Sequence, residues 1–156
     1  MIVAYAALGL WVLVALVLFT RLRPQNAAAV TLIGGAMFLP EKVGFDLPGI
    51  PSIAKDEVTV LACLLACVVF AYRDLRRARI GRGPEILMLV FAVGSVITVL
   101  TNGDTVVSGA TVMPGTRPTD FITDVIANVL IWGVPFFVGR ALFTRSRDLR
   151  AFFADR

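Results

Sequence analysis

Charged residues that could do chemistry are few, and they lie in two short polar connections of the chain. Lys55 closes the first connection, and Asp104 and Arg117 lie in the second. Because cations at a membrane surface attract phosphate, Lys55 and Arg117 could hold an anionic group such as a lipid pyrophosphate, and Asp104 could act as a base. The competing interpretation is that these are solvated loop charges. Lys55 would then pair with Asp56 or Glu57, and Asp104 would stabilise a turn.

Several kinds of catalytic and metal chemistry are excluded by residue type. The chain has no histidine, which removes the imidazole base and ligand that such sites commonly use. Cys63 and Cys67 are its only thiols. Two cysteines one helical turn apart make poor disulfide partners and, without histidine or carboxylate neighbours, a weak metal site. We therefore predict no catalytic residue, no metal and no cofactor, and small apolar packing roles for both cysteines.

The composition indicates a membrane protein. The 156 residues are 58% hydrophobic and 17% charged, with a mean hydropathy of +0.84, whereas soluble domains usually carry about 25% charged residues. The net charge is +4, but the arginines lie at the ends of apolar segments and not on an aromatic-studded face. This pattern favours membrane lipid as a partner and argues against nucleic acid.

Five apolar segments predict an all-α, polytopic transmembrane bundle that covers residues 1–156 as a single region. The spans are expected at about 2–20, 24–39, 56–72, 84–100 and 120–143, followed by an interfacial helix at about 146–156. Pro24 favours the first turn of the second helix, Pro40 ends it, and Asp56 is predicted to cap the third. The purely apolar part of the second segment, 27–39, covers only about 20 Å, which would also suit a re-entrant segment.

The basic residues decide whether the second segment crosses the membrane or is re-entrant. With five crossings and the N-terminus outside, most of the 15 lysines and arginines fall in cytoplasmic connections. The outer connections keep Lys42, Lys55 and Arg117. Since cytoplasmic loops carry an excess of Lys and Arg, we predict five crossings with the N-terminus out and the C-terminus in.

The fifth segment contains the most distinctive run, from Trp132 to Arg140 (WGVPFFVGR). Pro135 is predicted to kink the helix, Gly133 and Gly139 to permit close helix approach, and Arg140 to extend to the cytoplasmic interface. The middle of each predicted span lacks ionisable residues, which disfavours a proton-coupled transporter or a charged pore.

Four short runs carry a resemblance to a known family. They are Phe38-Leu39-Pro40, Asp46-Leu47-Pro48-Gly49-Ile50-Pro51 with Lys55, Thr101-Asn102-Gly103-Asp104, and Trp132-Gly133-Val134-Pro135-Phe136-Phe137-Val138-Gly139-Arg140. Together these runs resemble the N-terminal part of bacterial O-antigen ligase/polymerase-like proteins. Members of that family are polytopic inner-membrane glycosyltransferases of lipopolysaccharide and exopolysaccharide assembly.

The resemblance implies a metal-independent glycosyltransferase that uses an undecaprenyl-pyrophosphate-linked glycan donor on the outer face of the inner membrane. It also implies that this chain is the N-terminal scaffold portion of a longer protein, inactive alone, because the functional arginines and histidine of the family lie in later outer loops. A C-terminal half or a partner membrane subunit would complete it. The alternative is a non-enzymatic small polytopic membrane partner or a transporter subunit.

Overall fold

The computed structural model describes residues 2–41, 43–45, 53–78, 84–108, 111–113 and 125–143. Its helices are α1 (Ile2–Arg21), α2 (Pro24–Phe38), α3 (Lys55–Phe70), α4 (Tyr72–Arg77), α5 (Pro84–Thr101) and α6 (Val125–Leu142). The predicted helical class is confirmed. A small antiparallel hairpin, β1 (Val106–Ser108) with β2 (Thr111–Met113), occupies the second polar connection, where strands of three residues are too short to leave a periodic signal in the sequence.

The prolines fix the bounds of α2 as predicted. Pro24 occupies the first turn, where its missing amide hydrogen costs no helical bond. At the other end, Leu39 has the extended backbone angles φ −79° and ψ 145° that are favoured before a proline, so the helix stops at Phe38, ahead of Pro40.

The predicted cap of α3 is wrong. Ala54, and not Asp56, is the N-cap residue, and the Glu57 carboxylate accepts a hydrogen bond of 3.0 Å from the Ala54 amide. This is the acidic half of a capping box, in which the side chain three residues into the helix turns back to the cap. Asp56 lies in the first turn, where its negative charge faces the positive end of the helix dipole.

A π-helical turn lies directly before Pro135, where the sequence predicts a kink. The segment Val129–Gly133 is π-helical, and the Val134 amide donates to the Val129 carbonyl, five residues back instead of four. Because Pro135 has no amide hydrogen and its ring crowds the preceding turn, a widened turn at this point removes the conflict. The start of the predicted segment, 120–124, and the predicted interfacial helix at 146–156 lie outside the described residues.

Side-chain contacts show which helix ends lie together. The rings of Phe19 and Phe70, at the ends of α1 and α3, stack with their centroids 6.5 Å apart. Gln25, in the first turn of α2, donates to the Leu142 carbonyl at the end of α6, at 3.2 Å. We call this the arginine end of the bundle, because its helix termini and α4 carry Arg21, Arg73, Arg76, Arg77 and Arg140.

The other end of the bundle, which we call the opposite end, is joined by different pairs. The Tyr5 ring near the start of α1 lies 5.1 Å from the Phe45 ring in the first connection. Lys55 at the start of α3 reaches back to Glu41, just after α2. The first three helices therefore alternate in direction along the chain.

The interior of the bundle is built from small residues. Where α1, α2, α3 and α6 meet, most of the buried side chains are alanine or cysteine: Ala15, Ala27, Ala28, Ala62, Cys63, Ala66, Cys67, Ala71 and Ala141. Both cysteines are unbridged, in agreement with the predicted packing role. Small interface residues allow close approach of helix backbones, which is typical of helix packing in lipid.

Large apolar side chains lie on the outside of the bundle. Met37 and Phe38 on α2 are 72% and 78% exposed, and Leu87 and Leu89 on α5 are also mostly exposed. Among the described residues, α1 and α6 are long and apolar enough to cross a membrane, and 17% of each apolar stretch is buried. A helix in the core of a soluble protein would be mostly buried. In water such an outer surface would drive association, whereas lipid chains would solvate it.

Candidate functional site

Lys55 forms an ion pair at the opposite end of the bundle. Its Nζ lies 2.8 Å from Oε1 of Glu41, across the first connection. The competing interpretation, in which Lys55 pairs with Asp56 or Glu57, therefore names the wrong partner, and Glu57 instead accepts a hydrogen bond from the Ala54 amide. A carboxylate already matches the Lys55 charge, so a bound phosphate would have to displace Glu41.

The Glu41–Lys55 hydrogen bond shifts the pKa of both groups. The hydrogen bond and charge of Lys55 lower the pKa of Glu41, and the hydrogen bond to Glu41 raises the pKa of Lys55. The contribution of the pair is lost as pH falls through the lowered pKa of Glu41, and again as pH rises through the raised pKa of Lys55. Across neutral pH both groups are charged, but the Glu41 side chain is largely exposed, so the pair contributes little to stability.

Of the other two predicted binding residues, the structure describes Asp104, which makes no described contact with Lys55. Asp104 is exposed in the turn that follows α5, and it makes no hydrogen bond or ion pair with another described residue. Arg117 lies outside the described residues, as does the run 46–51 that contributes to the family resemblance.

A different cluster of residues joins α5 to α6. Three side-chain pairs connect the two helices at successive levels: Glu85–Arg140 with 3.3 Å between Oε1 and Nη1, Phe91–Trp132 with ring centroids 6.4 Å apart, and Ser95–Asn128 with a hydrogen bond of 2.8 Å. The order of these pairs makes α5 and α6 antiparallel and places the start of α5 at the arginine end. The end of α5, and Asp104 after it, therefore lie toward the opposite end.

Between these helices lies a cavity of about 450 Å³, which we call the α5–α6 groove. It is lined by Leu64, Glu85, Met88, Val129, Gly133, Val134, Phe136, Phe137 and Arg140. Every lining residue except Glu85 and Arg140 is apolar. An apolar groove of this kind suits an alkyl or isoprenoid chain. Its charged pair, Glu85 and Arg140, lies at the arginine end.

Gly133 lies in the wall of the α5–α6 groove. A Cβ atom at this position would lie 3.6 Å from the terminal carbon of Met88, in van der Waals contact across the groove. The sequence predicts the irregularity at Pro135 but not the groove, because α5 and α6 are far apart in the chain.

The Glu85–Arg140 pair is the second feature of the groove that the sequence does not reveal. The two side chains are 23% and 27% exposed. The sequence predicts Arg140 only as an interfacial cation, since no local pattern pairs it with a carboxylate 55 positions earlier. Within the described residues, no group of three or more His, Cys, Asp or Glu side chains is arranged to hold a metal ion.

Comparisons with protein-family models, with curated proteins and with solved structures found no match to this chain. A function is therefore inferred from the geometry of the described helices and from the resemblance of the four short runs.

Proposed function

We propose that this chain is a multi-pass protein of the bacterial inner membrane, with five crossings, the N-terminus outside and the C-terminus inside. The alternating helix directions and the outward-facing apolar side chains support this topology. The distribution of cations supports the orientation: the arginine end carries Arg21, Arg73, Arg76, Arg77 and Arg140, and such an excess is typical of the cytoplasmic side.

The short helices are compatible with this topology. With 15 and 16 residues, α2 and α3 measure about 22–24 Å, less than the ~30 Å hydrocarbon core. Both helices contact α1 and the second half of α6. Local thinning of the bilayer accommodates a mismatch of this size at modest cost.

Within that topology, we propose a role in cell-surface polysaccharide assembly. The chain would serve as the N-terminal scaffold portion of a glycan ligase or polymerase, and the α5–α6 groove would hold the isoprenoid chain of an undecaprenyl-linked donor. One observation carries this proposal: the longest run of the family resemblance supplies Gly133, Val134, Phe136, Phe137 and Arg140 to the wall of the groove. The proposal assigns binding to this chain, and not catalysis.

Filling the groove tests this role. In Gly133→Leu the new side chain would project toward Met88, and the helical backbone angles at this position, φ −68° and ψ −43°, accept leucine. We expect labelling of membranes by a photoreactive undecaprenyl phosphate to fall about tenfold, equal to ~1.4 kcal/mol of binding.

The matched control is Gly94→Leu on α5. A Cβ at Gly94 meets no atom within 4 Å, because this position faces outward, and labelling should stay at the wild-type level. Equal labelling of both variants and the wild type would remove the groove from any binding role. If the wild-type chain takes no label at all, the non-enzymatic partner subunit becomes the better interpretation.

A further inference from the structure

A second cavity lies at the arginine end, where α3 gives way to α4, and no residue of the α5–α6 groove contributes to it. We propose that this cavity, which we call the α3–α4 crevice, binds the head group of an anionic phospholipid in the cytoplasmic leaflet. This inference rests on the membrane insertion proposed above and adds a lipid ligand separate from the glycan donor.

The crevice is created by a break in the helix. The α-helical hydrogen bonding of α3 ends at Ala71, whose backbone angles are φ −125° and ψ 24°, and α4 begins at the next residue. The cavity has a volume of about 510 Å³ and is lined by Val69, Phe70, Ala71, Tyr72, Arg73, Asp74 and Arg77. One wall is thus the apolar end of α3, and the other is the charged helix α4.

The charges of the crevice suit a phosphate diester. Arg73 and Arg77 are four residues apart on α4, so they lie on one helix face. With Asp74 as the acidic residue of the lining, the crevice carries an excess of positive charge. In the described part of the chain, neither arginine side chain is paired with a carboxylate. Guanidinium groups can grip phosphate oxygens through two parallel hydrogen bonds.

The apolar wall distinguishes a lipid from a free phosphate. Val69 and Phe70, beside the arginines, are 57% and 44% exposed. The first carbons of a lipid acyl chain could pack against these two side chains. Tyr72, also exposed, has the amphipathic ring that favours the head-group level of a bilayer. A zwitterionic lipid would place its ammonium group against the guanidinium groups and should bind less well.

Native mass spectrometry of the full chain, released from detergent micelles, measures this preference directly. With palmitoyl-oleoyl phosphatidylglycerol and phosphatidylcholine as probes, we expect the wild type to retain the phosphatidylglycerol about tenfold more. Arg73→Gln/Arg77→Gln should lower retention of phosphatidylglycerol to the level of phosphatidylcholine. Arg76→Gln is the control matched to Arg73→Gln alone, because each removes one positive charge from an exposed position on the same helix, and Arg76 does not line the crevice.

Two results with the wild type, the double variant and the control would overturn the inference directly. One is equal loss of phosphatidylglycerol in Arg76→Gln, which would indicate general attraction to the arginine end. The other is equal retention of both lipids by the wild type.

If the double variant does not fold, Arg73→Gln alone replaces it. Partial loss of phosphatidylglycerol is then expected, and full retention would contradict the site. Inorganic phosphate at millimolar concentration should not displace the lipid, and displacement would indicate a phosphate site without a chain. Failure of membrane insertion would be seen separately, by labelling of the loops.

Discussion

Replacing Gly35 with alanine should destabilise the bundle, because α2 and α3 are in direct contact at this residue. A Cβ atom at Gly35 would lie 2.8 Å from Cβ of Thr59 and closer still to the two outer atoms of that side chain. Thr59 cannot easily turn away, since its hydroxyl donates to the Lys55 carbonyl at 2.6 Å. Overpacking of this kind costs about 1–3 kcal/mol, and the larger Gly35→Leu should prevent the helices from docking.

Unfolding in a denaturing detergent, followed by tryptophan fluorescence, measures this effect. The control is Gly94→Ala, where the new methyl group meets no atom within 4 Å. There alanine should be neutral or stabilise by up to about 1 kcal/mol through its helix propensity. Adding Thr59→Ala to Gly35→Ala removes the two nearest atoms and should restore part of the loss. Wild-type stability of Gly35→Ala would contradict the close packing of α2 against α3.

Removing the Arg140 guanidinium should produce the other large loss of stability. In Arg140→Gln the Glu85 carboxylate would lose its ion pair with Arg140 in a largely apolar groove. Breaking a fully buried pair costs about 3–5 kcal/mol, and the partial exposure of both side chains reduces our expectation to roughly 2–3 kcal/mol. The loss should appear as detachment of α5, reported by Trp132 fluorescence, because Trp132 packs against Phe91 of that helix.

The double variant Glu85→Gln/Arg140→Gln separates charge from packing. Because it also removes the negative charge of Glu85 from the groove, it should be more stable than Arg140→Gln alone. Arg76→Gln, at an exposed position of the same end, should change the free energy of unfolding by less than about 0.5 kcal/mol. A double variant less stable than Arg140→Gln would show that the pair does not hold α5 to α6 through charge.

Much of the helical framework can be predicted from the sequence, because apolar segments and prolines act locally. The structure places α1, α2, α3 and α5 within two residues of the predicted segments. Pro24 and Pro40 suffice to set the bounds of α2, since their effects on the backbone need no tertiary context. The cap of α3 was predicted wrongly because Asp56 and Glu57 are adjacent and both acidic. Only the three-dimensional path of the chain decides which of the two carboxylates accepts a hydrogen bond from the Ala54 amide.

The binding features depend on long-range contacts and could not be predicted in this way. The groove requires α5 to lie along α6, and its charged pair joins residues from the two helices. The pairing of Lys55 with Glu41 likewise depends on the fold of the first connection. The crevice at α3 and α4 arises from the break at Ala71, within a segment whose apolar pattern predicts one continuous helix to residue 72.

Labelling of single cysteines in intact cells tests the threading of the chain most directly. Cys63 and Cys67 are first replaced with alanine, which their small, buried environment should tolerate, and one new cysteine is added at Asp104→Cys or Arg76→Cys. We predict that a membrane-impermeant maleimide labels Asp104→Cys in intact cells, and that it labels Arg76→Cys only after the cells are permeabilised. Labelling of Arg76→Cys in intact cells would contradict a cytoplasmic arginine end, and with it the proposed topology.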